Sequence, residues 1–162
     1  MDCDPLAVAM AAIHDALDAC FHAHQVALVD RDPATARREL DRFADLLMRH
    51  ARDEEQHLLP VYRAHGGDDT NSPTGQFLLE HDKMARSLDA LDLLLTEWTD
   101  PADTRALLEL LDRETSFKNL LSHHDLRERR TLYPRLGEWL STAAQRELLA
   151  HLDLLPGRPP LG

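Results

Sequence analysis

Apolar residues recur at steps of three and four along four long stretches of this chain. The first stretch runs through Met10, Leu17, Phe21 and Leu28, and the second through Leu40, Phe43, Leu47, Leu58 and Val61. The third runs through Phe77, Met84, Leu88, Leu91, Leu95 and Trp98, and the fourth through Leu107, Leu110, Phe117, Leu121, Leu132, Leu136 and Trp139. Such alternation is the seam of a helix that buries one face in a bundle. Runs of β-branched residues are scarce, so strands are not expected. Asp4-Pro5, Asp32-Pro33, Ser72-Pro73 and Asp100-Pro101 each set a capping side chain before a proline suited to the first helical turn, and so mark four helix starts. Short connections within the first and second pairs predict two antiparallel hairpins, joined by a longer link near residues 64–71 that holds Gly66-Gly67. Thr142 and Gln145 read as the capping box of a short fifth helix reaching about Leu154. The expected fold is therefore all-α, an up-down-up-down four-helix bundle with a short C-terminal helix. A single domain is expected over residues 1–155, with a disordered tail at 156–162.

Histidine interrupts every seam. His14 falls between Met10 and Leu17, and His81 between Phe77 and Met84. In the second and fourth helices the interruption is a pair, His50 with Glu54 and His124 with Glu128. Residues four apart share a helical face, so each pair points inward together. Both pairs are followed by a proline six residues after the glutamate, Pro60 and Pro134, so one pattern occurs twice and suggests an internal duplication. In each hairpin the inward histidines lie about equally far from the turn, some 18 to 21 residues or roughly 27–32 Å of helix. Four imidazoles and two carboxylates should then meet in one layer of the core. Carboxylates buried there without strong partners would cost several kcal/mol each, and cations would remove that penalty.

Composition narrows the chemistry. A net charge of −11 argues against a nucleic-acid surface. Two cysteines, Cys3 and Cys20, lack the spacing of a thiolate metal site or a disulfide framework, which suits a reducing cytoplasm. The N-terminus lacks the pattern of a signal peptide, and no apolar run is expected to span a membrane. Imidazoles with carboxylates and no thiolate suit iron or manganese rather than structural zinc, and six donors are too many for one zinc ion.

These segments taken together resemble the bacterial hemerythrin-like family, or HHE cation-binding domain, over about residues 5–140. The matching pieces are His14, His50-x3-Glu54-Glu55 running into Leu58-Leu59-Pro60, Glu80-His81-Asp82, and His124-x3-Glu128 running into Leu132-Tyr133-Pro134. The resemblance implies a non-haem di-iron centre, with His14, His50, His81 and His124 as terminal ligands and Glu54 and Glu128 as bridges. The chain departs from the oxygen carriers of that group, which place a further histidine one turn after the third-helix ligand, where Ala85 stands here. One imidazole fewer leaves room at iron for O2, NO or peroxide. The expectation is an open site for redox or stress chemistry or sensing, including peroxide decomposition, served by a redox partner. An iron-handling or iron-centre repair protein and a metal-independent interaction bundle are the alternatives.

The remaining candidates are secondary. Asp18, one turn after His14, and His22 are candidate extra ligands. Glu55 is a candidate to orient an imidazole, and His57 to support the site. His24 is about 15 Å from His14 along the helix and is assigned to the core. His65, His123 and His151 read as solvated, and Arg127, Arg129 and Arg130 as a solvated face. Tyr62 and Tyr133 are candidate hydrogen-bond donors near the site.

Overall fold

The computed structural model describes residues 4–154, so the expected tail at 156–162 lies outside the described residues. Among the described residues every regular element is helical. The helices are α1 (Pro5–Val29), α2 (Pro33–Asp53), α3 (Leu59–Ala64), α4 (Thr74–Glu97), α5 (Thr104–Arg127), α6 (Tyr133–Trp139) and α7 (Thr142–Ala150). α1 packs along α2 and α4 along α5, giving the two expected hairpins. α7 lies against α1 and α6.

The second and fourth rods are each interrupted at the repeated motif. Glu54–Leu58 joins α2 to α3 and Glu128–Leu132 joins α5 to α6, both as single π-helical turns. The prolines account for the position of these turns. Pro60 and Pro134 have no amide hydrogen, and their rings crowd the carbonyl one turn back. The wider turn takes up one extra residue just before each proline, so the amide of Leu59 donates to the carbonyl of Glu54 and that of Tyr133 to Glu128. The repeated motif therefore folds into the same local structure twice, in keeping with the duplication read from the sequence.

The caps follow the sequence at the first hairpin and depart from it at the second. Asp4 accepts from the amide of Ala7 and Asp32 from that of Thr35. At α4 the cap position is Pro73, and Asp68 Oδ1 accepts from the Thr74 amide, so a residue of the preceding loop does the work expected of Ser72. At α5 the cap is Asp103, while Asp100 closes the turn before it by accepting from Ala102. α7 is capped by Ser141, and it ends at Ala150 rather than near Leu154. Gln145 makes no capping box; its Oε1 accepts from the Leu6 amide at 3.3 Å and ties α7 to the start of α1. The link between hairpins is closed by a 3₁₀ turn at Gly67–Asp69, entered through Gly66 at φ 91°, a left-handed conformation that glycine adopts without a Cβ penalty.

The core is one layer of seam residues running the length of the bundle, including Met10, Phe21, Phe43, Phe77, Met84, Leu91, Phe117 and Leu136. Phe21, Phe43 and Phe117 meet with ring centroids 4.9–6.0 Å apart, filling the half nearer the hairpin turns. α1 corrects one expectation, since its 25 residues are long and apolar enough by composition to cross a membrane. In this fold its apolar face is spent on the core, where Leu6, Met10, Ile13, Leu17, Phe21 and Leu28 are buried beside His14 and His24.

Candidate metal centre

The six residues singled out by their place on the seams are all buried and converge. Glu54 and Glu128 are fully excluded from solvent, and His14, His50, His81 and His124 are at most 7% exposed. The two carboxylates come from the first residue of each π turn, one turn after the histidines that end α2 and α5. His14 Nε2 lies 3.0 Å from His50 Nε2 and 3.2 Å from Glu128 Oε2. His81 Nε2 lies 3.2 Å from His124 Nε2 and 3.2 Å from Glu54 Oε2. His124 Nε2 lies 2.6 Å from Glu128 Oε1. Donor atoms of Glu54, His81, His124 and Glu128 sit within 4.8 Å of one another, and so do those of His14, His50 and Glu128. Glu128 belongs to both groups.

Partners behind the imidazoles fix which nitrogen faces inward. His81 Nδ1 donates to Glu55 Oε1 at 2.9 Å, and His124 Nδ1 donates to Glu80 Oε2 at 2.9 Å. His14 Nδ1 pairs with Asp125. A proton held on Nδ1 leaves the Nε2 lone pair free for a cation, as behind most metal-bound histidines. Glu55 thus takes the orienting part expected of it. Glu80 and Asp125 play the same part, and the sequence reading gave them no role. Nor are Arg127 and Arg129 a merely solvated face. Arg127 Nε donates to Glu80 Oε1 at 3.0 Å and Arg129 Nε to Asp125 Oδ1 at 2.6 Å, holding those carboxylates in place.

The other candidates separate cleanly. Tyr133 is buried at the centre, where its hydroxyl donates to Glu54 Oε1 at 2.8 Å and lies 3.3 Å from His14 Nε2. Tyr62 is not at the site; its hydroxyl donates to the Ser72 carbonyl at 3.0 Å and bonds Thr70. Asp18 and His22 are exposed and belong to neither donor group. His57 stacks on His151 at 6.0 Å between ring centroids, away from the centre, so it does not support the site. His123 is exposed and His124 buried, so of these two neighbours only His124 faces the centre with Glu128. His24 is in the core and pairs with Glu114 at 2.6 Å.

The donor set suits cations better than it suits itself. Glu54 Oε2 and both oxygens of Glu128 are buried with no hydrogen bond; His124 Nε2 is close to Glu128 but off the hydrogen-bonding direction. Orphaned buried carboxylate oxygens are heavily penalised. Lone pairs of Nε2 aimed at the same space as carboxylate oxygens are what a metal ion satisfies, and these residues fit one.

Without metal the centre holds protons instead. Burial disfavours charge on His14, but the Asp125 and Glu128 carboxylates outweigh it and raise the imidazole to about 9. Burial likewise opposes charge on His124, and Glu128 and Glu80 reverse it, to about 10. His50 goes the other way, to about 4, because burial is reinforced by the neighbouring imidazoles and outweighs Glu54. Burial would raise Glu80 and Asp125, but hydrogen bonds from His124 and Gln76 hold Glu80 near 2, and those from His14 and Arg129 do the same for Asp125. Burial and the Glu128 and Glu54 carboxylates push the Tyr133 phenol well above its ordinary value, so it stays an O–H donor.

The sign of the pH dependence follows. In the metal-free protein, protonated His14 and His124 stabilise the fold fully below the unfolded histidine value near 6.5, and that contribution is lost as pH rises through about 9 to 10. Metal needs the neutral rings, so loading at pH 7 is expected to release about two protons from His14 and His124, with a further contribution from His81, which Glu54 and Glu55 also raise, and metal affinity is expected to weaken as pH falls. Calorimetry in buffers of different ionisation enthalpy measures that number; loading with no proton release would contradict it.

A family model described as hemerythrin HHE cation binding domain matches residues 6–136. The chain belongs to the hemerythrin HHE cation-binding domain family. Neither a curated protein nor a solved structure matches it.

Proposed function

We propose that this chain is a non-haem di-iron protein whose centre binds or reacts with O2, NO or peroxide in redox or stress chemistry. The observation that carries the reading is the position of Glu128, shared by a group of four donors on one side and a group of three on the other. One Glu128 oxygen lies toward His14 and the other toward His124, which supports the reading that this carboxylate would serve both ions when they are bound. The group of His14, His50 and Glu128 offers fewer protein donors, which favours an open coordination position there. By resemblance and donor type the ions are iron, with manganese the alternative.

When bound, the ion pair supplies two electrons and exchangeable coordination positions. The side chains do the rest. Nδ1 bonds to Asp125, Glu55 and Glu80 hold three rings in place and raise their basicity. Tyr133 holds a proton at Oη between Glu54 and His14, where it can hydrogen-bond an incoming oxygen species. The absence of a histidine at Ala85 separates the site from the carrier pattern and favours reaction over reversible storage. In this reading the protein works in a reducing cytoplasm, and an electron donor restores the reduced centre.

Iron-loaded protein, reduced without air and mixed with O2, NO or hydrogen peroxide, is expected to develop a new visible spectrum with at least one of them, which re-reduction reverses. Iron should stay bound throughout in the presence of a chelator. A spectrum indifferent to all three would refute the proposal, and rapid loss of iron to the chelator would favour an iron-handling role.

A further inference from the structure

A cavity of about 590 Å³ opens from the candidate metal centre toward the surface between α1 and α5. His14, His50 and Glu128 line its inner end, which is the side with fewer protein donors. Leu17, Phe21, Phe43, Leu47 and Leu121 form its walls. Gln25 and Lys118 stand at the outer end, where Lys118 Nζ donates to Gln25 Oε1 at 3.3 Å.

The size does not match a diatomic gas. A molecule as small as water takes up about 30 Å³, whereas cavities of roughly 300–1,000 Å³ with apolar walls and a few polar groups hold organic ligands. Leu17, Phe21, Phe43 and Leu47 are each at most 7% exposed, so the inner wall is buried, while exposed Asp18, His22, Lys118, Ser122 and Leu126 line the open side. The inner walls are apolar, the polar side chains Asp18, His22, Gln25 and Lys118 line the cavity elsewhere, and its inner end presents the metal-ligand donors with Asp125 beside His14. The fitting ligand therefore has an apolar body and a small oxygen head group that can reach a metal ion.

Resting on the di-iron reading above, we propose that the cavity binds an organic hydroperoxide, with its apolar body along Leu17, Phe21 and Leu47 and its –OOH group at the His14–His50 end. A hydroperoxide carries its own oxidising equivalents, so the reaction needs no co-substrate beyond the reduced centre. The O–O bond breaks and takes two electrons, one from each of two ferrous ions. The alkoxide and hydroxide fragments each take a proton, giving an alcohol and water: ROOH + 2 Fe(II) + 2 H⁺ → ROH + H2O + 2 Fe(III). Tyr133 does not line the cavity, but its Oη, 3.3 Å from His14 Nε2, is the O–H donor held beside the metal centre into which the –OOH group would reach.

The test compares cumene hydroperoxide with hydrogen peroxide as oxidants of the anaerobically reduced, iron-loaded protein. Leu121→Trp, at a half-buried wall position, narrows the cavity, and Ser122→Trp at the exposed rim is the second variant should the first fold poorly. The ratio of the cumene hydroperoxide rate to the hydrogen peroxide rate is expected to fall about tenfold or more in the variants. Separately, zinc-loaded protein, which cannot react, is expected to bind 2-phenyl-2-propanol saturably, with amide shifts concentrated at residues 17–21 and 118–122 and abolished by the variants. An unchanged ratio, or no saturable binding by the zinc form, overturns the inference while leaving the di-iron reading intact if hydrogen peroxide still oxidises the centre. Failure of both oxidants to change the spectrum overturns the inference, and the di-iron reading falls with it only when O2 and NO also leave the spectrum unchanged.

Discussion

Glu128→Gln is expected to lower the iron content of the reconstituted protein from about two ions per chain to one or none. Both oxygens of Glu128 are buried and without hydrogen bonds, and they face His14 and His124 on opposite sides. An amide is a neutral and weaker ligand, and its NH2 group would point at a ring nitrogen meant to bind metal. In the di-iron reading either ion would then lose a donor, and the shared position would be lost to both. Glu55→Gln touches only the proton on His81 Nδ1, so its effect should be confined to about 10–100-fold in affinity. Glu138→Gln, exposed, paired with Arg135 and in neither donor group, should change neither. Metal analysis after gel filtration reads all three; a Glu128→Gln protein that keeps two tightly bound ions would show that the carboxylate is not shared.

His24→Ala is expected to destabilise the fold by roughly 3–5 kcal/mol while leaving iron content unchanged. His24 Nδ1 donates to the Ala36 carbonyl at 2.7 Å, which turns Nε2 toward Glu114 Oε1 at 2.6 Å. Both side chains are buried, and among the described residues the one other partner in this contact is Gln25, whose amide donates to Glu114 Oε2 at 2.8 Å. Removing the imidazole leaves a buried carboxylate with that single hydrogen bond. For a chain of this size the loss corresponds to about 10 °C in Tm. His22→Ala, at an exposed neighbour, should leave Tm within about a degree, since surface changes are usually small. Thermal melts of the metal-free proteins measure the difference. If His24→Ala emptied the metal centre, the separation of this pair from the site would be wrong.

The bundle was legible because its seams are long and regular, and three-four periodicity reports the buried face of a helix directly. The six central residues were legible for a related reason. A histidine or glutamate on an apolar seam needs a partner, and equal distance from the hairpin turns placed these residues at one level. Capping was harder to read. Asp103 displaces Asp100, and Asp68 replaces Ser72, because which of several nearby acceptors reaches a helix end depends on the loop path. The outer carboxylates were missed for a different reason. Glu80 and Asp125 adjoin His81 and His124 in sequence, yet each serves the histidine of another helix, Glu80 that of His124 and Asp125 that of His14. No spacing within one helix shows such a crossed pairing. The acidic residue beside each ligand was the available hint, and the Arg127 and Arg129 contacts complete it. The π turns had a sequence mark in the paired prolines, but a proline alone does not distinguish a kink from an inserted residue.

The central claim is that two cations share Glu128 in the core of this bundle. Crystals of iron-reconstituted protein measured on both sides of the iron absorption edge test it most directly. The account predicts two anomalous peaks about 3.5–4 Å apart, one beside His14, His50 and Glu128 and the other among Glu54, His81, His124 and Glu128. A single peak, no peak, or peaks held by other residues would contradict it.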